Sequence, residues 1–326
     1  MAYEIDYSVV IRTIGNAGEK YEALLASIDA LEPKPKEIIV VLPEGYEPPK
    51  ERLGWETFCY SLKGMVIQRV YGINMVKTKY ALVCDDDVSF DSDFVQKLYK
   101  PLHDGKYTFS AGPLLSFLPP KGAKTVISAI TGAAAPTLFK RHRYVSILRT
   151  GGYSFNRNIN THDEVYYEAQ SLAWTCFFAD VDAFKKINIE KEHWLDMNGY
   201  SALDDQTMFY KGWLKGLKTV VVSNALYQHL DAKTSTRKNK PATVYSSVFN
   251  RYVFWRRFIY QQQSNSIAKC WCTVCFGYRS LWCHIWEIID LFRHRKTRED
   301  YVLFKKALKE AKAFVKTKDY LELPKI

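Results

Sequence analysis

Two acidic groups carry the strongest chemical potential in the sequence. The stretch YALVCDDDVSF, residues 80–90, runs from apolar residues straight into Asp85, Asp86 and Asp87. Further on, LDDQTMFYKGWLKG places Asp204 and Asp205 at the front of a helical pattern closed by Gly216. Adjacent carboxylates repel each other, so a triplet needs compensation. Hard oxygen donors of this kind suit Mg²⁺ or Mn²⁺, ions that take phosphate oxygens as co-ligands. Such a cation relieves the repulsion and neutralises charge that gathers on a departing diphosphate. The pair has a different use. Two neighbouring carboxylates raise one another's pKa, which suits a general base working near neutral pH. Plainer readings exist for both groups. The triplet can be a solvated turn before a helix FVQKLYK capped by Asp91 or Asp93. The pair can be acids favoured by a helix dipole.

The elements that must position these groups follow from apolar patterning. YSVVIRT (7–13), the apolar run in KPKEIIVVLPEG (34–45) and YALVC (80–84) read as strands apolar on both faces. Between the first two, Tyr21, Leu24, Leu25, Ile28 and Leu31 form one helical stripe. GMVIQRV reads as a further strand and YGINMVKTK as a short helix. Strands alternating with helices predict an α/β fold with a parallel sheet. In such sheets ligands bind beyond the carboxyl ends of the strands, where the triplet falls. From 106 to 180 the pattern is less regular. KYTFSAGPLLSFLPP and LAWTCFFADVDAF look like strands entering turns, and GGYSFNRNINTHDE reads as a polar loop over a site. KTVVVSNALYQHL reads as a strand ending near His229, AKTSTRKNKPAT (232–243) as a basic linker, and the remainder as mainly helical.

SVVIRT, KEIIVV, QRVYGINMVKTKYALVCDDDV and LDDQTMFYKGWLKGLKTVVVSNALYQH, in that order, resemble the family 2 glycosyltransferases over roughly residues 6–230. The resemblance implies a GT-A fold, Rossmann-like and mostly parallel with flanking helices, and inverting transfer from a nucleotide sugar. Asp85–Asp87 match the family's Asp-X-Asp motif. By that match Asp87, with Asp85, holds Mn²⁺ or Mg²⁺, and Asp85 and Asp86 face the donor. Arg69 and Gly72 match the segment before it. Asp204-Asp205 match the family's acidic pair, Asp205 being the base and Asp204 its neighbour. Lys211 and Gly216 follow at the family's spacing, and His229 matches a histidine that completes the metal site. Arg12-Thr13-Ile14-Gly15 stands where many members have Pro-Thr-Tyr-Asn, and LPEG where many have Asp-Asp-Gly-Ser, so Glu44 is the nearest acid for the nucleotide. The base stays open among UDP-, dTDP- and GDP-linked sugars, and the transferred group is a hexose or deoxyhexose. Trp194 offers a ring for an acceptor sugar to stack on, or else a packed tryptophan.

A chain of 326 residues can hold one large domain plus an appendage, and 47% hydrophobic with 25% charged residues excludes a disordered chain. We expect a catalytic domain over 1–235 and a helical extension over 236–326. The formal charge of +11 is uneven: from Arg237 onward 19 Lys/Arg face 7 Asp/Glu, while the body before it is nearly neutral. A basic tail favours anionic partners. Its aromatics, in FNRYVFWRRFIY and WCTVCFGYRSLWCHIWEIIDLF, are grouped as apolar faces rather than interleaved for base stacking, so no nucleic-acid partner is expected. Trp271, Cys275, Tyr278, Trp282, Ile285 and Ile289 share a helical stripe followed by RHRKTR. That pattern fits a membrane surface, or equally a packing or dimer face. Four of the seven cysteines crowd residues 270–283, but Cys-X-Cys-X₂-Cys is not the usual paired zinc spacing. The opening residues lack a signal-peptide pattern and no long apolar run occurs, so a cytoplasmic protein, peripheral on the membrane's cytoplasmic face, is expected. The expected function is sugar transfer to a saccharide or lipid-linked acceptor in cell-surface polysaccharide synthesis. The competing expectations are a catalytically silent scaffold or sugar-binding module, and a nucleotidyltransferase. The latter calls for a glycine-rich phosphate loop that RTIGNAGEK supplies poorly.

Overall fold

The computed structural model describes residues 4–138, 142–231 and 241–326. In chain order its elements are β1 (Tyr7–Arg12), α1 (Glu19–Ala30), β2 (Ile38–Pro43), β3 (Glu56–Ser61), α2 (Met65–Met75), β4 (Tyr80–Asp85), β5 (Val88–Phe90), α3 (Phe94–His103) and β6 (Phe109–Ala111). There follow α4 (Ala123–Ile130), β7 (Ala134–Pro136), β8 (Arg143–Ile147), β9 (Tyr153–Phe155), β10 (Tyr166–Ala169), β11 (Cys176–Asp180) and α5 (Val181–Ile187). Next come α6 (Asp204–Leu214), β12 (Thr219–Val222), β13 (Tyr227–His229), α7 (Pro241–Phe254), α8 (Ser266–Phe292), α9 (Arg298–Phe314) and α10 (Lys318–Leu321).

The main sheet runs β3-β2-β1-β4-β11-β6-β12-β10-β8-β9-β7, and β13 pairs with β5 in a separate ribbon. The strands β3, β2, β1 and β4 are parallel, and β11 runs antiparallel between β4 and β6. Alternation along the apolar strands explains why they are buried throughout. Val10, Val41 and Val83 enter the core on one face, while Val9, Val40 and Leu82 enter the core on the other. The α/β class expected from the sequence is therefore the observed one, with a mainly helical C-terminal region.

Two strand assignments change. GMVIQRV is not a strand but the first part of α2. Its buried residues Val66, Arg69, Val70 and Ile73 fall at helical spacing, a pattern that a short apolar run shares with a buried strand. Gly72 lets this helix lie on the sheet: a Cβ there would fall 2.5 Å from Val10 Cγ1 and 2.8 Å from Val41 Cγ2. The strand before it is ETFCYS, the half-exposed edge strand β3. KTVVVSNALYQHL holds two strands, β12 and β13, rather than one. The polar stretch after Gly151 holds β9 and a turn in which Asn160 Oδ1 accepts from the backbone of His162.

Most of the basic linker expected over 232–243 lies outside the described residues. Its end starts α7, with Pro241 in the first turn, where a missing N–H costs nothing. The C-terminal helices join the sheet's core, since Phe249, Phe254, Phe276 and Phe314 belong to the same apolar cluster as Val10 and Phe177. A buried ionic knot ties them down. Glu192 accepts from Arg257 of the segment after α7 at 2.7 and 2.9 Å and from the Trp194 indole at 2.9 Å, and it ion-pairs Lys211 of α6 at 2.7 Å. Burial opposes the Glu192 charge, but the two cations outweigh it and hold its pKa below the ordinary glutamate value.

Candidate active site

The parallel register of β1 and β4 sets Arg12 opposite Asp85 at the carboxyl ends of both strands. The repulsion built into the triplet is met by giving each carboxylate its own partner. Arg12 Nε donates to Asp85 Oδ1 at 3.1 Å, and the Thr13 hydroxyl donates to Asp86 Oδ2 at 2.5 Å. Asp87 Oδ1 lies 3.3 Å from His229 Nε2. The β5–β13 ribbon makes that last pairing, because it sets His229 opposite Val88 while Leu230 N donates to the Asp87 carbonyl.

Arg69 ties the triplet to the acidic pair. It projects from α2 and is 2% exposed. Its two terminal nitrogens donate to Asp85 Oδ1 at 2.8 Å and to Asp204 Oδ2 at 3.1 Å. A third bond goes to the Trp174 carbonyl, and the guanidinium lies 4.8 Å from the centre of the Trp174 ring.

Asp204 and Asp205 open α6 behind Leu203, whose φ of 65° turns the chain into the helix. Asp204 Oδ1 accepts from the Asp205 N–H, and Asp205 Oδ1 from the Gln206 N–H, so both acids face free helical donors. Burial, and then the charge of Asp204, nonetheless push the Asp205 carboxyl up to about 7. Burial also raises Asp204, against the pull of Arg69. Asp86 is raised to about 6 by burial, with Arg12 and Thr13 opposing. Burial works against a charged His229, yet the hydrogen bond and charge of Asp87 prevail and its pKa lies above the ordinary histidine value.

These groups line a cavity of about 170 Å³. It holds Arg12, Arg69, all three aspartates of the triplet, Asp204, Asp205 and His229, so most of the sequence-predicted site residues are brought together. Two neighbouring cavities share its walls. One, of about 520 Å³, begins at Arg12 and Asp86 and extends past Thr13 to Tyr46, Lys63, Asp196 and Tyr200. The other, of about 160 Å³, begins at Phe117 and Asp205 and is mostly apolar, with Leu114, Tyr144 and Tyr153. Phe117 stands edge-on to the His229 ring at 5.2 Å.

Two predicted residues fall elsewhere. Glu44 is exposed and does not line the large cavity, whose wall at that turn is Tyr46 with Lys63 over its ring. Trp194 is 0% exposed and bonded to Glu192, so it offers no face to a sugar. Asp196 was missed. Its carboxylate caps α2, accepting from the backbone of Met65 at 3.0 Å and Ile67 at 3.1 Å. The signal was weak but present, since Gly64 precedes α2 with no side chain of its own to cap it.

Among the described residues no group of three acids, histidines or cysteines is gathered as a metal site. Of the crowded cysteines, Cys270 is exposed while Cys272 is in the core. Asp87 and His229 do present an oxygen and a nitrogen donor side by side at the cavity wall. One or two protein donors, completed by substrate phosphate oxygens, is a common way to hold Mg²⁺ or Mn²⁺.

No protein-family model matches the sequence, and no curated protein matches it. Solved structures do. GalNAc-T7, crystallised with UDP, GalNAc and Mn²⁺, superposes with a TM-score of 0.55 at 13% identity, over 89% of this chain and 58% of that longer one. The S. aureus TarS 1–349 fragment with UDP-GlcNAc superposes with a TM-score of 0.51 at 12% identity, over 94% of this chain and 80% of that one. The same fragment without ligand gives 0.52 at 12% identity. The fold is thus that of the GT-A glycosyltransferases.

Proposed function

We propose that this chain is a metal-dependent, inverting glycosyltransferase of the family 2 kind, with residues 1–235 carrying the reaction. The single observation that carries the reading is the common cavity in which Arg69 joins the triplet to the acidic pair. The large cavity beyond Arg12 would take the nucleoside of a UDP-, dTDP- or GDP-linked sugar, with Tyr46 and Lys63 in the place expected for Glu44. The diphosphate would lie by Asp87 and His229. A divalent cation held there would neutralise the charge of the departing diphosphate.

Asp205 is the base. Its raised pKa matches the task of taking a proton from an acceptor hydroxyl near neutral pH. As the proton passes to Asp205, the hydroxyl oxygen attacks the anomeric carbon and the bond to the diphosphate breaks on the opposite side, inverting the centre. The mostly apolar cavity beside Asp205 would receive the acceptor, a saccharide or lipid-linked saccharide. Asp85, already engaged by Arg12 and Arg69, would keep the two cationic groups aimed at the donor rather than act as the principal metal ligand.

The test is incubation with UDP-, GDP- and dTDP-sugars and Mn²⁺, reading nucleoside diphosphate release and the anomeric configuration of the product. Release from one donor, with an inverted product, supports the proposal. No release from any donor, in a folded sample, favours the silent scaffold.

A further inference from the structure

Helix α8 leaves one face uncovered along its whole length of about 40 Å. Ile267, Trp271, Val274, Tyr278, Leu281, Ile288 and Phe292 recur at alternating intervals of four and three residues, with the partly exposed Ile285 completing the row. The exposed ones range from 39% at Ile288 to 83% at Ile267. The opposite face is the one that packs, through Cys272, Phe276 and Arg279. A stripe this long on the surface needs a partner.

Its surroundings identify the partner. From Cys270 to Trp286 the only Lys, Arg, Asp or Glu is Arg279, which is buried. A coiled-coil seam is normally flanked by charges that fix its mate, whereas this one is flanked by Cys275, Gly277, Trp282 and His284. Charge gathers instead past the C-terminal end of the apolar face, at the exposed Arg293, Arg295 and Arg298, where Asp290 lies 3.9 Å from Arg295 and Glu299 is also exposed, while Lys269 sits in the first turn of the helix. Helix α4 repeats the arrangement. Val126, Ile127 and Ile130 are exposed, and Lys121 and Lys124 flank them. The two apolar faces adjoin where the Tyr278 hydroxyl donates to the Ile130 carbonyl at 2.6 Å. Among the described residues no helix is long and apolar enough to cross a membrane.

We infer that this face docks on an anionic lipid bilayer. Helices α8 and α4 lie in the interface, their apolar residues at the acyl boundary, Trp271 and Tyr278 at headgroup level, and Lys121, Lys124, Arg293 and Arg298 on lipid phosphates. Docking goes beyond the transfer reaction and does not depend on it. It does bear on the site, because the segment leading into α4 carries Phe117 at the cavity rim.

Flotation of the full chain with phosphatidylcholine vesicles, with and without phosphatidylglycerol, tests the inference without any nucleotide. The wild type is expected to float with the anionic vesicles. The exposed-face variant Trp271→Glu/Leu281→Glu is expected to stay in solution. Arg293→Glu/Arg298→Glu should bind about tenfold or more weakly. Both variants should keep the wild-type melting temperature, which shows that they fold. A wild type that stays unbound with anionic vesicles overturns the inference. If it also elutes as a dimer that Trp271→Glu/Leu281→Glu splits, the face belongs to a second copy of the chain.

Discussion

Arg69 and Asp204 lie 135 residues apart in sequence and meet at 3.1 Å across the cavity. The other terminal nitrogen of Arg69 holds Asp85, so one buried guanidinium fixes the spacing between the aspartate triplet and the acidic pair.

Arg69→Met should therefore harm stability as well as rate. It leaves Asp85 with Arg12 alone and Asp204 without its ion-pair partner, both in a buried setting. Breaking a buried pair by removing one member costs about 3–5 kcal/mol. Chemical denaturation of the two proteins measures the difference. Arg69→Lys should recover only part of it, because an ammonium cannot span two carboxylates with a planar fork.

Asp205→Asn should separate stability from activity. Below about pH 4 both the folded and unfolded chains hold the proton on residue 205, and the acid has no effect on stability. As pH rises toward about 7 the unfolded chain ionises first, so stability falls and stays lowered above that range. Asn removes this loss. The variant should melt higher than wild type at about pH 8 and show little gain at about pH 4. Its turnover should fall by about 10²–10⁴-fold. Wild-type kcat/KM should rise with pH through about 7 as the base deprotonates.

His229→Ala should weaken Mn²⁺ binding by more than ~10-fold, the low end of the loss for an outer-shell partner. In the wild type, protons compete for Nε2 at pH values above the ordinary histidine range, because Asp87 favours the charged ring. Mn²⁺ affinity measured by calorimetry should therefore drop as pH falls through that raised value.

Asp196→Ala removes the cap of α2 and should cost about 1 kcal/mol. A loss well above this would mean that the helix also loses its seat on the sheet, and with it the aim of Arg69. Comparing kcat with KM for the donor separates the two effects, since the cap lies in the wall of the large cavity.

Glu192→Ala should be among the most damaging single changes in the molecule. It leaves Lys211, Arg257 and the Trp194 indole without their shared acceptor in the core. A loss of about 3–5 kcal/mol is expected from the unpaired charges, read by denaturant titration.

Much of this was legible in the sequence. Strands β1, β2 and β4 announce themselves as unbroken apolar runs, and α6 by its acidic first turn and the glycine after it. The triplet and the pair stand out because acids at strand ends and helix starts have a chemical reason to be there, whereas Arg12, Arg69 and His229 are singled out only by the resemblance of the segments that hold them. The failures have physical causes. GMVIQRV is too short for its period to separate strand from helix, and the edge strand β3 lacks the fully apolar pattern of its neighbours. Glu44 lost its place to Tyr46 and Lys63, since the residue of a turn that faces a cavity depends on the strand beside it. Trp194 could be assigned only with Glu192 in view, and Asp196 acts on a helix 131 residues away.

The metal-dependent nucleotide site is probed by thermal-shift titration with UDP, GDP and dTDP, each with and without Mn²⁺, on the wild type and on Asp87→Ala. A ligand that binds only the folded state must raise the melting temperature. Stabilisation by one of these nucleotides, requiring Mn²⁺ and lost in Asp87→Ala, is expected. No shift with any nucleotide, or a shift that needs neither Mn²⁺ nor Asp87, would contradict the proposed site.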